Sequence, residues 1–501
     1  MPIKILNEKG RESLEKADHL LILLEASTAR KKGLKEVLNF VDAKLKAKIL
    51  DFAPVRLKKI IAGAQMRFDL NPKTRVTVKL VASKMSTFSQ LERSRKMVSC
   101  VTSNAARNAF IDLRGIEAKK WAESLTSAFT ANSFQSPKYQ KTPKKESPEK
   151  TLSLIVSSED QKEVKSISDK AHRKALGTNL VRRLSLMAGN DLTTDRYVAL
   201  ATELAKAANL KTEFFGFEKL KTMGAGAFCA VAQGAAGKSG ILKIQYTAET
   251  NSPHIAFVGK GVTYDTGGAQ IKTGEHMFGM HGDMGGSAVA LALVLWAAEE
   301  KVPYSVTAYL AITDNQFSPT SYRPNDVVTS LCGKTIEVVD TDAEGRMILA
   351  DTLTLASQSK PDLMMDFATL TGSCVRAIGT NYSGGYSNRS SLLSLIRRAG
   401  KKSGERVWPF PNDKDYGRCL KSKVADIKQC RLKGGVDHIE ASYFLRQFVE
   451  NSVPYVHVDL SAIEHEGGLA QVSSENTGFG VRFATEFVEI FLNRGMKNVS
   501  L

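Results

Sequence analysis

Cysteine is scarce in this chain, with six residues in 501, at positions 100, 229, 332, 374, 419 and 430. None forms a CxxC pair or a zinc-finger spacing, which excludes a disulfide scaffold and leaves reduced thiols in packed interiors as the expectation. Long apolar runs are absent too. No stretch approaches the roughly 20 residues a helix needs to cross a bilayer, so no membrane partner is expected. The first residues, MPIKILNEKGRESLEK, carry charge from their start and lack an apolar core followed by a small-residue cleavage site. A soluble, cytoplasmic protein is therefore expected.

Acidic residues are lacking only in the first part of the chain. The formal net charge is +18, and residues 1–150 hold 31 Lys and Arg against 15 Asp and Glu. The other 351 residues are near neutral, with 39 against 37. Such asymmetry bears on partners and not on fold. A nucleic-acid face is one reading. The lysines are spread out and are not interleaved with stacking aromatics, so a solvated basic surface is preferred.

At this length two domains are expected. HLLILLEAS (19–27), RVTVKLVAS (75–83) and TLSLIVSS (151–158) read as strands, with helical patterns around 33–50 and 88–110. The stretch SPKYQKTPKKESPEK (136–150) reads as a solvated insert. The expected layout is a smaller, basic α/β domain at 1–160, a connecting helix at 161–187 and a catalytic domain at 188–501. In the last, KTEFFGF, HIAFVGK, VTAYLAIT, KTIEVVD, DLMMDFAT and PYVHVDL are strand candidates. Helical patterns such as 284–300 and 345–358 alternate with them, predicting a mostly parallel central sheet covered by helices on both faces.

Ligands of open parallel sheets gather at the carboxyl ends of strands. Polar residues fall in those places: Lys260 and Asp265 after HIAFVG, Asp340, Asp342 and Glu344 after KTIEVV, and Thr369, Thr371 and Gly372 after DLMMDFA. His457 and Asp459 belong to the last strand. The segment VGKGVTYDTGGAQIKTGEHMFGMHGDMGG (258–286) contributes Lys260, Asp265, Lys272 and Asp283 in a glycine-rich setting. By itself it fits a phosphate loop or a plain turn as well. DTDAEGRMILAD (340–351) adds three carboxylates and Arg346 within seven residues. A helix N-terminus absorbs one or two such charges, but the whole set calls for cations. Oxygen-rich sites of this kind suit paired divalent ions.

VGKGVTYDTGGAQIK and DTDAEGRMILADTLTLA closely resemble the two signature blocks of the leucyl aminopeptidase family, the cytosolic di-metal exopeptidases. MGAGAFCAVAQGA, YRPNDVVTSLCGKTIEV, ATLTGSCVRAIG, GERVWPFP and YVHVDLSA extend the resemblance over about residues 185 to 485. It implies an aminopeptidase that removes leucine and other N-terminal residues from peptides, using two divalent ions (Zn²⁺ or Mn²⁺, with Mg²⁺ or Co²⁺ as alternatives). Lys260, Asp265, Asp283 and Glu344 would make the tight metal site. Asp265, Asp342 and Glu344, with the carbonyl of Asp342, would make the exchangeable one. The two ions would share a bridging hydroxide as nucleophile. Lys272 would stabilise the oxyanion, and Arg346 would hold a bicarbonate acting as general base. Met280, Thr369 and Gly372 match the positions that line the family's side-chain pocket. A homohexamer is implied by the resemblance alone.

Three features depart from the pattern. Asp340 stands where the family has Asn, and either tightens cation binding or turns away to bond backbone donors, the second being expected. Ser461 and Glu464 occupy positions more often small or apolar, which predicts a more polar pocket and a weaker preference for leucine. His276 and His281 flank the first segment and His457 lies in the last strand, but none is needed as a ligand. An inactive relative is the remaining alternative, disfavoured by the intact ligand set, Lys272 and Arg346.

Overall fold

The computed structural model describes residues 3–7, 17–102, 107–141 and 149–494. Residues 8–16 of the charged N-terminal stretch and 142–148 of the Lys-, Ser- and Pro-rich insert lie outside the described residues. The chain divides into two compact units, Met1–Leu176 with Ala470–Ser473, and Gly177–Leu469 with Ser474–Leu501. The division falls inside one continuous helix, Gln161–Ser185.

The first unit carries a six-stranded sheet. Its strands are β1 (Ile3–Leu6), β2 (His19–Glu25), β3 (Gln65–Asp69), β4 (Arg75–Val81), β5 (Asn108–Gly115) and β6 (Thr151–Ile155), in the order β1-β6-β5-β2-β4-β3. All neighbours are parallel except β3 against β4. β2 is apolar at nearly every position because both faces are covered. Leu21 and Leu23 pack with the helices Thr87–Val101 and Ala118–Asn132, while Leu20, Ile22 and Leu24 pack with Ala43–Phe52. The helical pattern expected around 88–110 ends at Val101, and β5 follows it. Asp112 and Arg114 disguise that strand: they pair within it at 2.6 Å, so two charges sit where a buried strand would show apolar residues.

The second unit is built on an eight-stranded sheet. In chain order its strands are β7 (Lys211–Gly216), β8 (Gly240–Tyr246), β9 (His254–Asp265), β10 (Ser305–Asn315), β13 (Leu363–Ala368), β14 (Ser383–Ser387), β15 (Val407–Pro409) and β17 (Tyr455–Asp459). Between them β11 (Val327–Thr329), β12 (Thr335–Glu337) and β16 (Ile427–Lys428) form a separate small sheet, which takes in the expected KTIEVVD strand. The large sheet runs β15-β14-β17-β13-β9-β10-β8-β7. Its centre, β17-β13-β9-β10, is parallel, and antiparallel pairs lie outside it. Parallel pairing brings the carboxyl ends of β9, β10, β13 and β17 to one edge.

Helices Gly285–Glu300 and Glu344–Ser357 cover opposite faces of β9. Ala256 and Val258 share a core with Met347, Leu349 and Ala350. On the other face, a Cβ at Gly259 would lie 2.4 Å from the Gly286 carbonyl oxygen, and a Cβ at Gly286 would lie 2.0 Å from the Phe367 carbonyl oxygen. Glycine at both positions lets that helix start directly against the sheet. The segment Gly274–Glu300 is long and apolar enough by composition to cross a membrane, which contrasts with the sequence reading of the apolar runs. It is apolar because it is a core element: two thirds of the window is buried, and only Gly285–Glu300 forms a long helix.

Gly286→Ala is expected to lower the melting temperature, because the backbone of β13 must yield to the added methyl. Overpacking of this kind costs about 1–3 kcal/mol, or roughly 2–10 °C in a unit of this size. An unchanged melting curve in differential scanning calorimetry would contradict the close approach.

Candidate metal centre

The site is assembled at that shared edge. Lys260 lies inside β9 but one register step beyond the last pairing with β13, at Gly259, so its side chain emerges where the β9–β13 pairing has ended. It is buried, and its Nζ donates to the Thr369 carbonyl at 3.0 Å and lies 2.8 Å from both Asp283 Oδ2 and Glu344 Oε1. The helix that supplies Glu344 continues with Gly345, where a Cβ would fall 2.7–2.9 Å from Lys260 Cε, Cδ and Nζ. Glycine there leaves the volume that the lysine side chain fills.

Asp265 ends β9. Its Oδ1 accepts from the Gly267 amide and from Asn315 Nδ2, each at 2.8 Å, while Oδ2 lies 2.9 Å from Lys272 Nζ. Lys272 Nζ is also 2.5 Å from Asp342 Oδ1. Asn315 was not singled out in the sequence. It is the register partner of Asp265 at the end of β10, and its Nδ2 also reaches the Thr341 carbonyl at 3.0 Å. The loops carrying Asp265 and Asp342 are stitched by Thr341 and Gln270, each bonding the other's backbone amide at 2.7–2.8 Å. Gln429 adds a third tie: its Oε1 accepts from the Val339 and Asp340 amides and its Nε2 donates to the Ala343 carbonyl. Gln270 lies within the first glycine-rich segment, whereas Asn315 lies 50 residues from Asp265 and Gln429 86–90 residues from the groups it holds, and neither carries a local sequence signal.

Asp283 follows the 3-10 turn Met280–Gly282, and its Oδ1 accepts from Thr369 Oγ1 at 2.7 Å. Thr369 leads to Gly372, at the head of helix Gly372–Ile378. The predicted pocket residues thus lie along the two segments around Asp283. Arg346 is buried, and its Nη2 lies 2.9 Å from both carboxylate oxygens of Asp437, while Nη1 donates to the Gln429 carbonyl at 3.3 Å. Asp437, at the start of helix Asp437–Arg446, was not recognised in the sequence because it lies 91 residues away, outside any acidic cluster.

The residues fit divalent cations. Asp265, Asp342 and Glu344 each offer a carboxylate oxygen within 4.8 Å of the others. Asp283 Oδ2 and both oxygens of Glu344 are buried; Lys260 is the partner of Asp283 Oδ2 and Glu344 Oε1, and Glu344 Oε2 has no hydrogen-bond partner among the described residues. Two ammonium groups stand against four carboxylates, so negative charge remains uncompensated, an arrangement that is costly without added cations. Burial, then the Asp265 charge, pushes the Glu344 carboxyl up to about 8. Burial also raises Asp283 to about 6 against the pull of Lys260. Asp342 is raised by burial and by Asp265. For Lys260 and Lys272 burial acts downward, but the surrounding carboxylates outweigh it and both are raised.

Other candidates fall outside this cluster. His276 is exposed beside Glu275. His457 is buried with Nδ1 on Asp366 at 2.8 Å, and Tyr455 donates to the same carboxylate at 2.6 Å. Burial lowers His281. Asp340 Oδ1 accepts from the Asp342 amide at 2.9 Å. Ser461 turns its hydroxyl to the Tyr382 carbonyl at 2.8 Å, whereas Glu464 Oε1 lies 3.9 Å from the Cβ position of Gly282, next to Asp283. No ion-pair partner of Glu464 is found among the described residues. None of the six cysteines forms a disulfide.

A family model described as "Cytosol aminopeptidase family, catalytic domain" matches residues 179–485. The chain is 37% identical over 345 residues to a probable cytosol aminopeptidase of Syntrophotalea carbinolica, covering 68% of each chain. It is 29% identical over 395 residues to that of Rickettsia bellii, covering 76% of this chain and 79% of the relative. Among solved structures, a tomato leucine aminopeptidase mutant superposes with a TM-score of 0.81 at 25% identity, covering 97% of this chain and 96% of that one. A bottromycin maturation enzyme in complex with Mn superposes with a TM-score of 0.78 at 26% identity, covering 95% and 99%.

The raised carboxyls of Glu344 and Asp283 set a pH dependence. Their ordinary values are 4.5 and 3.8, so the metal-free fold holds their contribution fully below about pH 4 and loses it as pH rises through about 6 and about 8. A cation prefers the ionised forms. Titration calorimetry with Mn²⁺ in two buffers should show affinity rising from pH 6 to 8 with proton release. Affinity independent of pH would contradict this account.

Proposed function

The chain belongs to the cytosol aminopeptidase family, the metal-dependent exopeptidases, and on that basis we propose that it removes N-terminal residues from peptides at the centre described above. The observation that carries this reading is the convergence of Lys260, Asp265, Asp283, Asp342 and Glu344 at one sheet edge, where Glu344 Oε2 is buried without a partner among the described residues. Lys260, Asp265, Asp283 and Glu344 would hold one divalent ion, and Asp265, Asp342 and Glu344 a second, with Zn²⁺ or Mn²⁺ the favoured occupants. When bound, such ions polarise the scissile carbonyl and lower the pKa of water.

The chain's own groups do the rest. Lys272, which lies between Asp265 and Asp342, remains a cation and would stabilise the oxyanion that develops on the scissile carbonyl. Thr369 fixes the Asp283 carboxylate, and Asn315 with the Gly267 amide fixes Asp265, so both present their remaining oxygen inward. Arg346 is the residue that would steady an anionic proton acceptor beside the bond being cut. Met280, Thr369 and Gly372 would receive the N-terminal side chain. A homohexamer in the cytoplasm belongs to this reading through the family resemblance. Nucleic-acid binding by the basic first unit is the lesser alternative.

Glu464 would weaken the preference for leucine. Its carboxylate lies beside Gly282 without an ion-pair partner among the described residues, while Ser461 is satisfied internally, so the polar character of the pocket wall comes from Glu464.

Chelation should abolish hydrolysis of aminoacyl anilides, and Mn²⁺ or Zn²⁺ should restore it. Lys272→Ala should lower kcat by about 10²–10³ with metal content unchanged. Activity that survives complete metal removal would contradict the proposal. Comparing leucyl, methionyl and arginyl anilides should show no clear preference for leucine. A strong leucine preference would remove Glu464 from the pocket account.

A further inference from the structure

Alternation along β3 gives the sheet edge of the first unit two unlike faces. Met66 is buried and Phe68 half-buried against one hydrophobic core, whereas Gln65, Arg67 and Asp69 turn to the other side and are exposed. Register carries that second row inward. Arg67 pairs with Thr77 and Gln65 with Lys79 on β4, and Thr77 pairs in turn with Leu21 on β2. Cross-strand partners share a face, so these side chains stand on the side that the helix Thr87–Val101 covers through Met97. Between that helix and the strands lies a cleft of about 250 Å³, with the buried Leu21 and Met97 in its walls.

The charge lining this cleft is of one sign. Arg67, Lys79 and Lys96 reach it from β3, β4 and the helix, and no carboxylate is in its walls. Acids close by in sequence are engaged by other cations: Asp69 lies 3.0 Å from Arg75, and Glu92 lies 3.9 Å from Arg95. Arg67 Nη2 is turned to Cys100 Sγ at 2.7 Å, a sulfur and not a carboxylate. Lys79 is half-buried, and neither it nor Lys96 has a carboxylate partner among the described residues. Burial holds the Lys79 ammonium below the ordinary lysine value, and Arg93 and Lys96 add to that effect against Cys100. The same field reaches His19, whose Nε2 shares a hydrogen bond with Thr77 Oγ1 at 2.8 Å. Burial, then Arg67 and Arg75, lower His19 to about 4, so it adds no charge near neutral pH. Three cations gathered around a cleft without a counter-charge are costly unless an anion completes them.

We propose that this cleft binds a small dianionic phosphate, free or as the monoester of a small molecule, through Arg67, Lys79 and Lys96. The inference concerns the first unit alone and does not rest on the aminopeptidase reading. Arginine offers a planar fork that matches two phosphate oxygens, and the lysines supply point charges. Charge favours phosphate over a carboxylate, because three cations are better matched by two negative charges than by one. Size sets an upper limit: the cleft lies below the roughly 300–1,000 Å³ of pockets that enclose drug-sized ligands. A nucleic-acid strand is the poorer fit, since no Phe, Tyr or Trp lines the cleft to stack a base.

The test uses the full-length protein with inorganic phosphate, glycerol 3-phosphate and a single-stranded oligonucleotide as probes, at constant ionic strength set with chloride. Cys100 lines the cleft and is partly exposed, so its alkylation by iodoacetamide, followed by peptide mass spectrometry, reports on this place. Inorganic phosphate or glycerol 3-phosphate should slow that alkylation saturably, and chelating the metal should leave the protection unchanged. The tighter of the two probes tells free phosphate from a monoester as the ligand. Lys79→Met and Arg67→Gln should each weaken the protection about 10–100-fold. Lys96→Gln, at an exposed helix position, should weaken it in the same direction and serves if the half-buried lysine cannot be replaced without loss of the fold. No protection by either phosphate, protection unaltered in these variants, or protection by the oligonucleotide alone would overturn the assignment.

Discussion

Mutual repulsion among crowded carboxylates is the constraint on which this site depends. Asp265, Asp283, Asp342 and Glu344 are gathered into a volume where the charge of Asp265 raises the cost of ionising the other three, and where two lysines compensate only part of the charge. Such an arrangement persists only if the fold over-determines it and if binding cations return the energy it stores. The first condition is visible in the architecture. Four parallel strands end at one edge, and the carboxylate-bearing loops are tied to one another through Asn315, Thr341, Gln270 and Gln429.

Backbone economy makes the convergence possible. Gly259 and Gly286 let a wholly apolar helix press on one face of β9, and Gly345 lets a charged helix start press on the other with Lys260 between. The lysine is thereby aimed between Asp283 and Glu344, where its ammonium stands in for part of the positive charge the site calls for.

The central sheet was largely legible because β9, β10, β13 and β17 are covered on both faces and show as continuous apolar runs ending in polar loops. β5 was hidden by the Asp112–Arg114 pair, and β8, an antiparallel strand with Lys243 and Gln245, gave too short and mixed a pattern. Candidate ligands were readable because carboxylates cluster within seven residues after a strand. Their supports were not: Asn315, Gln429 and Asp437 are isolated polar residues that gain meaning only once register and long-range contacts bring them to the cluster. Glu464, a position read from the sequence as departing from the family pattern, lies beside the turn that leads to Asp283.

The central claim is that these four carboxylates and Lys260 exist to hold two ions, and metal stoichiometry tests it most directly. Metal-free protein reloaded with Mn²⁺ or Zn²⁺, freed of excess and analysed by plasma mass spectrometry, should contain two ions per chain, and Glu344→Gln should contain markedly fewer while keeping its circular dichroism. A wild type that retains no ion, or a Glu344→Gln variant that retains the full complement, would contradict the account.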